Sequence, residues 1–130
     1  VSVNPNPSLS CAVVLFAHGS RDPLWRGPIE AVAARVRALS PDTPVACAYL
    51  ELCEPSLAQA VADLVDQGVN HIRLLPVFFG MGKHAREDLP ALAQALGSQH
   101  PGLALTLLPA AGEHPALTTL LAQMALGHAT

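Results

Sequence analysis

A continuous apolar run, Ala12 to Ala17, stops abruptly at His18-Gly19-Ser20-Arg21-Asp22. A run without alternation marks a strand buried on both faces, and such strands belong to parallel sheets covered by helices. The same unit then returns. Val45 to Leu50 is a second strand ending at Glu51; the third, centred on Ile72–Val77, lies within Val69 to Phe79; Leu103 to Leu108 is the fourth. Between them, apolar residues recur at helical spacing. Ile29, Val32, Ala33, Val36 and Leu39 form one stripe, entered through Pro28 and stopped by Ser40-Pro41-Asp42-Thr43-Pro44. Leu57, Ala60, Val61, Leu64 and Val65 form the next, opened by Pro55-Ser56 and stopped by Gly68. A third helix is expected from Ala85 to Leu96, ended by Gly97, and a closing helix from Pro115 to Leu126. The fold predicted is α/β: a single three-layer βαβαβαβα domain, a four-stranded parallel sheet with helices on both faces. Its expected strand order is 2-1-3-4, as in a flavodoxin-like half, with right-handed crossovers. Pro76 should stand near the end of its strand or at a bulge, because a proline removes a ladder hydrogen bond.

The 130 residues suffice for one domain with a real core, assigned here to residues 11–130, with Val1–Ser10 as a disordered polar tail. The net charge of −3 and the lack of a basic stripe argue against nucleic-acid binding. No apolar run approaches the roughly 20 residues of a membrane span. Cys11, Cys47 and Cys53 make an odd set without a CxxC pair, which suits reduced thiols in a cytoplasm. A chain half apolar and only 13% charged also leaves room for a subunit interface.

Ligands of open parallel sheets bind beyond the carboxyl ends of the strands. His18, Glu51 and His84 stand after the first, second and third strands, so one edge can gather them. Imidazole and carboxylate suit a first-row divalent metal, and so few protein donors leave coordination positions open for exchange. Each has a plainer reading: His18 as a hydrogen-bonded surface group, His84 as the start of a helix, Glu51 as a carboxylate favoured by a helix dipole. Arg21, Lys83 and Arg86 lie in the loops of the same edge, where they could hold substrate carboxylates or simply be solvated. Glu113-His114, after the fourth strand, is a further candidate for the cleft, and Trp25 and Met81 are candidates either for its apolar floor or, equally, for the core. His71 falls at the opposite edge and reads as structural. Phe79-Gly80-Met81-Gly82-Lys83 lacks the pattern of a phosphate loop, so neither ATP nor an organic cofactor is expected.

Three blocks in this order carry a resemblance: Leu15-Phe16-Ala17-His18-Gly19-Ser20-Arg21-Asp22-Pro23; Tyr49-Leu50-Glu51 with Pro55-Ser56-Leu57; and Leu75 to Lys83-His84 with Asp88-Leu89-Pro90. Over about residues 11 to 127 the chain resembles the short-form sirohydrochlorin chelatases of the class II chelatase superfamily. That resemblance implies insertion of Co2+, or of Fe2+ or Ni2+, into the tetrapyrrole sirohydrochlorin, in cobalamin or sirohaem biosynthesis. It implies that His18 and His84 handle the metal, with Glu51 as their acidic partner, and that the chain works as a homodimer. Insertion needs a loosely held metal and a base for the pyrrole protons, and a neutral imidazole can serve either role. Arg21, Lys83 and Arg86 would then bind the substrate's peripheral carboxylates.

Other functions fit parts of the pattern. A cobalt or nickel carrier or store would use the same histidines without accelerating insertion. A histidine phosphatase also has a histidine after its first strand, but with an arginine directly before it, where this chain has Ala17. A dimeric tetrapyrrole-binding domain would need the cleft and no chemistry.

Overall fold

The strand Cys11–Ala17, β1, lies at the centre of the sheet because both its faces are apolar and both are covered. The computed structural model describes residues 10–128. After β1 come α1 (Gly27–Leu39), β2 (Val45–Tyr49), α2 (Leu57–Asp66), β3 (His71–Pro76), α3 (Lys83–Gln99), β4 (Ala104–Leu107) and α4 (Pro115–Ala125). Short 3-10 turns at Pro23–Arg26 and Ala111–Glu113 precede α1 and α4. Every strand pairing is parallel, and the order across the sheet is β2-β1-β3-β4, as the sequence predicts.

The pleat of β1 divides the core in two. Ala12, Val14 and Phe16 point to one face, where α2 contributes Leu57, Ala60, Val61 and Leu64 and α3 contributes Leu89 and Leu96. Leu15 and Ala17 point to the other, where they meet Ile29 and Ala33 of α1 and Tyr49 of β2. This is why the β1 sequence never alternates: a polar residue on either face would be buried without a partner. Pro76 is the last residue of β3 and lies past Leu74, the last β3 residue paired with β4, where a missing N–H costs little. Ser56 caps α2, its hydroxyl accepting from the Gln59 N–H at 3.2 Å, and Gly68 beyond the helix takes the left-handed conformation, φ 95°.

The structure corrects the expected end of α3. Gly97 does not stop it; the helix runs from Lys83 to Gln99, and the reversal falls at Gly102, φ 88°. A glycine inside a helix costs only about 1 kcal/mol relative to alanine. The buried Leu96 anchors that last stretch and outweighs the cost. Of the expected tail, residues 1–9 lie outside the described residues. Ser10 is already part of the sheet: its carbonyl accepts from the N–H groups of Asn70 and His71 at 3.1 and 3.2 Å.

α4 is unlike the other helices. None of its residues is buried, and Leu120 and Met124 are 45% and 57% exposed. On the α1 side, the sheet is covered over β1 and β2 but open over β3 and β4, where Arg73, Ala104 and Thr106 are exposed.

Replacing the wholly buried Leu74 by alanine should cost about 2–5 kcal/mol, and Ser56→Ala about 1 kcal/mol through its lost cap, measured by urea denaturation.

Candidate functional site

Where β1 and β2 end, their backbones stay hydrogen-bonded beyond the strands. The Leu50 N–H donates to the Ala17 carbonyl at 2.9 Å and the Glu51 N–H to the His18 carbonyl at 3.1 Å. Gly19 follows with φ 103°, and a Cβ there would overlap the Glu51 carbonyl. Only glycine fits this approach. The turn beyond is held locally: Ser20 Oγ accepts from the Asp22 N–H, and Asp22 Oδ1 from the Leu24 N–H, each at 3.0 Å.

This stitching sets two side chains against each other. Glu51 Oε1 lies 3.4 Å from His18 Nε2. On the other side of the ring, Nδ1 is 3.3 Å from the Gly19 carbonyl, which only accepts, so a hydrogen bond there uses the Nδ1–H tautomer. A neutral imidazole then presents its Nε2 lone pair to a carboxylate oxygen. Two acceptors facing each other call for a cation between them, either a proton on Nε2 or a metal ion. Both side chains are over half exposed, 54% and 56%, where an ion pair contributes only about 0–1 kcal/mol to stability. The pair therefore does little for the fold.

His18 opens onto an apolar cleft of about 590 Å3, lined by Phe16, Leu50, Phe78, Ala85, Leu89 and Leu92, with His84 and Asp88 on the α3 wall. Phe16 and Phe78 meet edge to face in its floor, centroids 6.0 Å apart at 74°. Gly112 seats Phe78 by donating its N–H to the Phe78 carbonyl at 2.9 Å, and a Cβ on Gly112 would strike the Phe79 backbone. Among the described residues, the two groups with displaced pKa values lie elsewhere, on the α1 side of β2. Burial pushes the Tyr49 hydroxyl up to about 12, aided by Cys47, and burial, then Glu30, raises the Cys47 thiol.

Residues 12–126 match the family model CbiX. The chain belongs to the CbiX family. A sirohydrochlorin cobaltochelatase of Methanopyrus kandleri is 38% identical over 81 residues, a match covering 62% of this chain and 57% of that protein. The chain thus spans little more than half the length of such curated relatives. The CbiX cobalamin-biosynthesis protein of Marinobacter aquaeolei superposes with TM-score 0.78 and 32% identity, covering 90% of this chain and 95% of that one. SirB of Bacillus subtilis, a sirohydrochlorin chelatase solved with cobalt, shares the fold at TM-score 0.72 and 24% identity; this chain covers 50% of it.

Within this CbiX domain the sequence-predicted residues separate into groups. His18 and Glu51 come together, and His84 shares the cleft with His18 from the opposite wall. Among the described residues, no three histidine, cysteine, aspartate or glutamate side chains are close enough together to hold a metal ion. Arg21, Lys83 and Arg86 are exposed around the same edge, outside the cleft lining. The further candidates are displaced. His114 caps α4, its Nδ1 accepting from the Ala116 N–H at 3.0 Å, while Glu113 accepts from the Ala110 N–H at 3.2 Å. Trp25 lies on the α1 side in another groove and Met81 packs against the α2–α3 core, so neither floors the cleft. That floor is Phe16 and Phe78, which lie in the first and third sequence blocks but were not singled out as cleft residues. His71 is structural, 3.0 Å from Thr106 Oγ1 at the far edge.

Thermal unfolding should separate scaffold from site. Gly19→Ala should destabilise by more than about 1 kcal/mol, whereas His18→Ala and Glu51→Gln should stay within about that value of the parent.

Proposed function

We propose that this CbiX protein is a sirohydrochlorin cobaltochelatase, inserting Co2+, with Fe2+ or Ni2+ as alternative metals, into sirohydrochlorin. The observation that carries this is the cleft itself: two imidazoles across an apolar space, one facing a carboxylate oxygen at 3.4 Å. The cobaltochelatase named among its relatives, 38% identical over the matched stretch, supports the same choice.

The reaction brings in a divalent cation and releases the two pyrrole N–H protons. His18 Nε2 and Glu51 Oε1 form the donor pair that receives the metal. With few protein donors, the metal keeps coordination positions for the pyrrole nitrogens. His84, across the cleft, assists the transfer as second ligand or as proton acceptor. The aromatic and aliphatic lining suits the flat macrocycle, whose peripheral carboxylates reach outward to Arg21, Lys83 and Arg86 at the rim. No organic cofactor takes part. A reducing cytoplasm suits the three free cysteines. Among the described residues, no helix is long and apolar enough to cross a membrane.

We propose further that the working form is a homodimer. One CbiX domain corresponds to half of the SirB chain. The uncharged stripe of α4 lies uncovered, as does the apolar groove of about 390 Å3 between Leu24, Trp25, Pro28, Val32 and Val77. Together they provide apolar surface for a second copy.

The decisive assay follows the absorbance of metal-free sirohydrochlorin with Co2+, and with Fe2+ under anaerobic conditions. The expected result is acceleration by the protein and a loss of about 10²–10⁴-fold in His18→Ala. Cobalt binding without acceleration would instead make it a carrier. Light scattering should give twice the monomer mass, reverting to the 13.5 kDa monomer when Leu120 and Met124 are both changed to aspartate. A monomeric parent would remove the dimer proposal.

A further inference from the structure

The cleft treats its two histidines unequally. His18 has a carboxylate against it, and His84 has none in contact. Yet Asp88 stands four residues after His84 on α3, one helical turn along the same face, and lines the same cleft. It is the one acidic side chain in the lining. Among the described residues its side chain makes neither a hydrogen bond nor an ion pair, and nor does that of His84. Lys83 and Arg86, on the same helix, leave it unpaired as well. An acidic group among Phe16, Leu50, Phe78, Leu89 and Leu92 contributes nothing to their packing. Both side chains are exposed and free to turn toward each other.

We propose that Asp88 is the positioning residue of His84. Its carboxylate accepts the N–H of one ring nitrogen, fixing the tautomer and aiming the other nitrogen's lone pair across the cleft at the incoming metal. The cleft then holds two histidine–carboxylate pairs on facing walls: His18 with Glu51, carried by adjacent strand ends, and His84 with Asp88, carried by one helix. Carboxylates that orient a metal-binding histidine also raise its basicity, and losing one costs about 10- to 100-fold in metal affinity or activity. This inference rests on the chelatase reading only for its kinetic consequence; the metal-binding consequence stands apart from it.

The test is a Co2+ titration of the full chain without tetrapyrrole, followed by the visible absorbance of bound cobalt, beside the insertion assay. Asp88→Ala should weaken cobalt binding by about 10- to 100-fold and raise the KM for Co2+. The KM for sirohydrochlorin and the unfolding midpoint should stay unchanged. Asp88→Glu should recover part of the loss. In a His84→Ala background, Asp88→Ala should add nothing, since the carboxylate acts through the imidazole. An unchanged cobalt titration in Asp88→Ala would overturn the proposal, as would a further loss in the double variant or an effect confined to the KM for sirohydrochlorin. If the parent protein bound cobalt in this Asp88-dependent way but inserted none, the chelatase reading would fall and the pairing of His84 with Asp88 would stand.

Discussion

The site depends on one close approach between backbones. Gly19 lies against the Glu51 carbonyl so tightly that no side chain fits, and hydrogen bonds from Leu50 and Glu51 hold the two strand ends together behind it. Neighbouring strands are spaced at about 4.8 Å, and extending that pairing past the sheet brings His18 and Glu51 within reach of each other. The geometry of the pair is therefore inherited from the sheet. Because the pair itself is half exposed and worth little to folding, replacing either side chain leaves the core intact.

The sheet supplies that rigidity because its central strand is buried on both sides. α1 covers one face of β1, and α2 with α3 covers the other, so that both faces of the strand leading to His18 are locked by packed side chains. Phe16, the penultimate residue of β1, belongs both to that core and, against Phe78, to the cleft floor. The cleft is thus the open end of the α2–α3 core, and its apolar character follows from the same burial pattern that makes the fold.

Much of this was legible in the residues. Unbroken apolar runs and helical stripes specify the parallel sheet, and the turn chemistry of Ser56, Gly68 and Pro76 behaves as its residue types require. The juxtaposition of His18 with Glu51 followed from their positions at adjacent strand ends. What stayed hidden depends on three-dimensional packing. Gly97 carries a strong local stop signal that a buried Leu96 overrides. Trp25 and Met81 had the composition of a cleft floor, but α1 and the α2–α3 core claimed them. Glu113 and His114 were spent on capping backbone N–H groups of their own loop. Asp88 was in view as part of the third block, yet an acidic residue four places after another polar one on a helix is ordinary until the facing wall is known.

The two walls of the cleft are built on different supports. His18 and Glu51 sit on a jaw clamped to the sheet, with Gly19 as its rivet. His84 and Asp88 ride on the first turns of α3, which has no side-chain cap at Gly82 and joins β3 through residues whose two glycines, Gly80 and Gly82, have open space around them. The gape of the cleft is accordingly set by the core packing of Leu89 and Leu96 together with one short connector. A change of length or shape within residues 77–82 would shift His84 along its wall, while the strand-borne jaw stays clamped through Gly19.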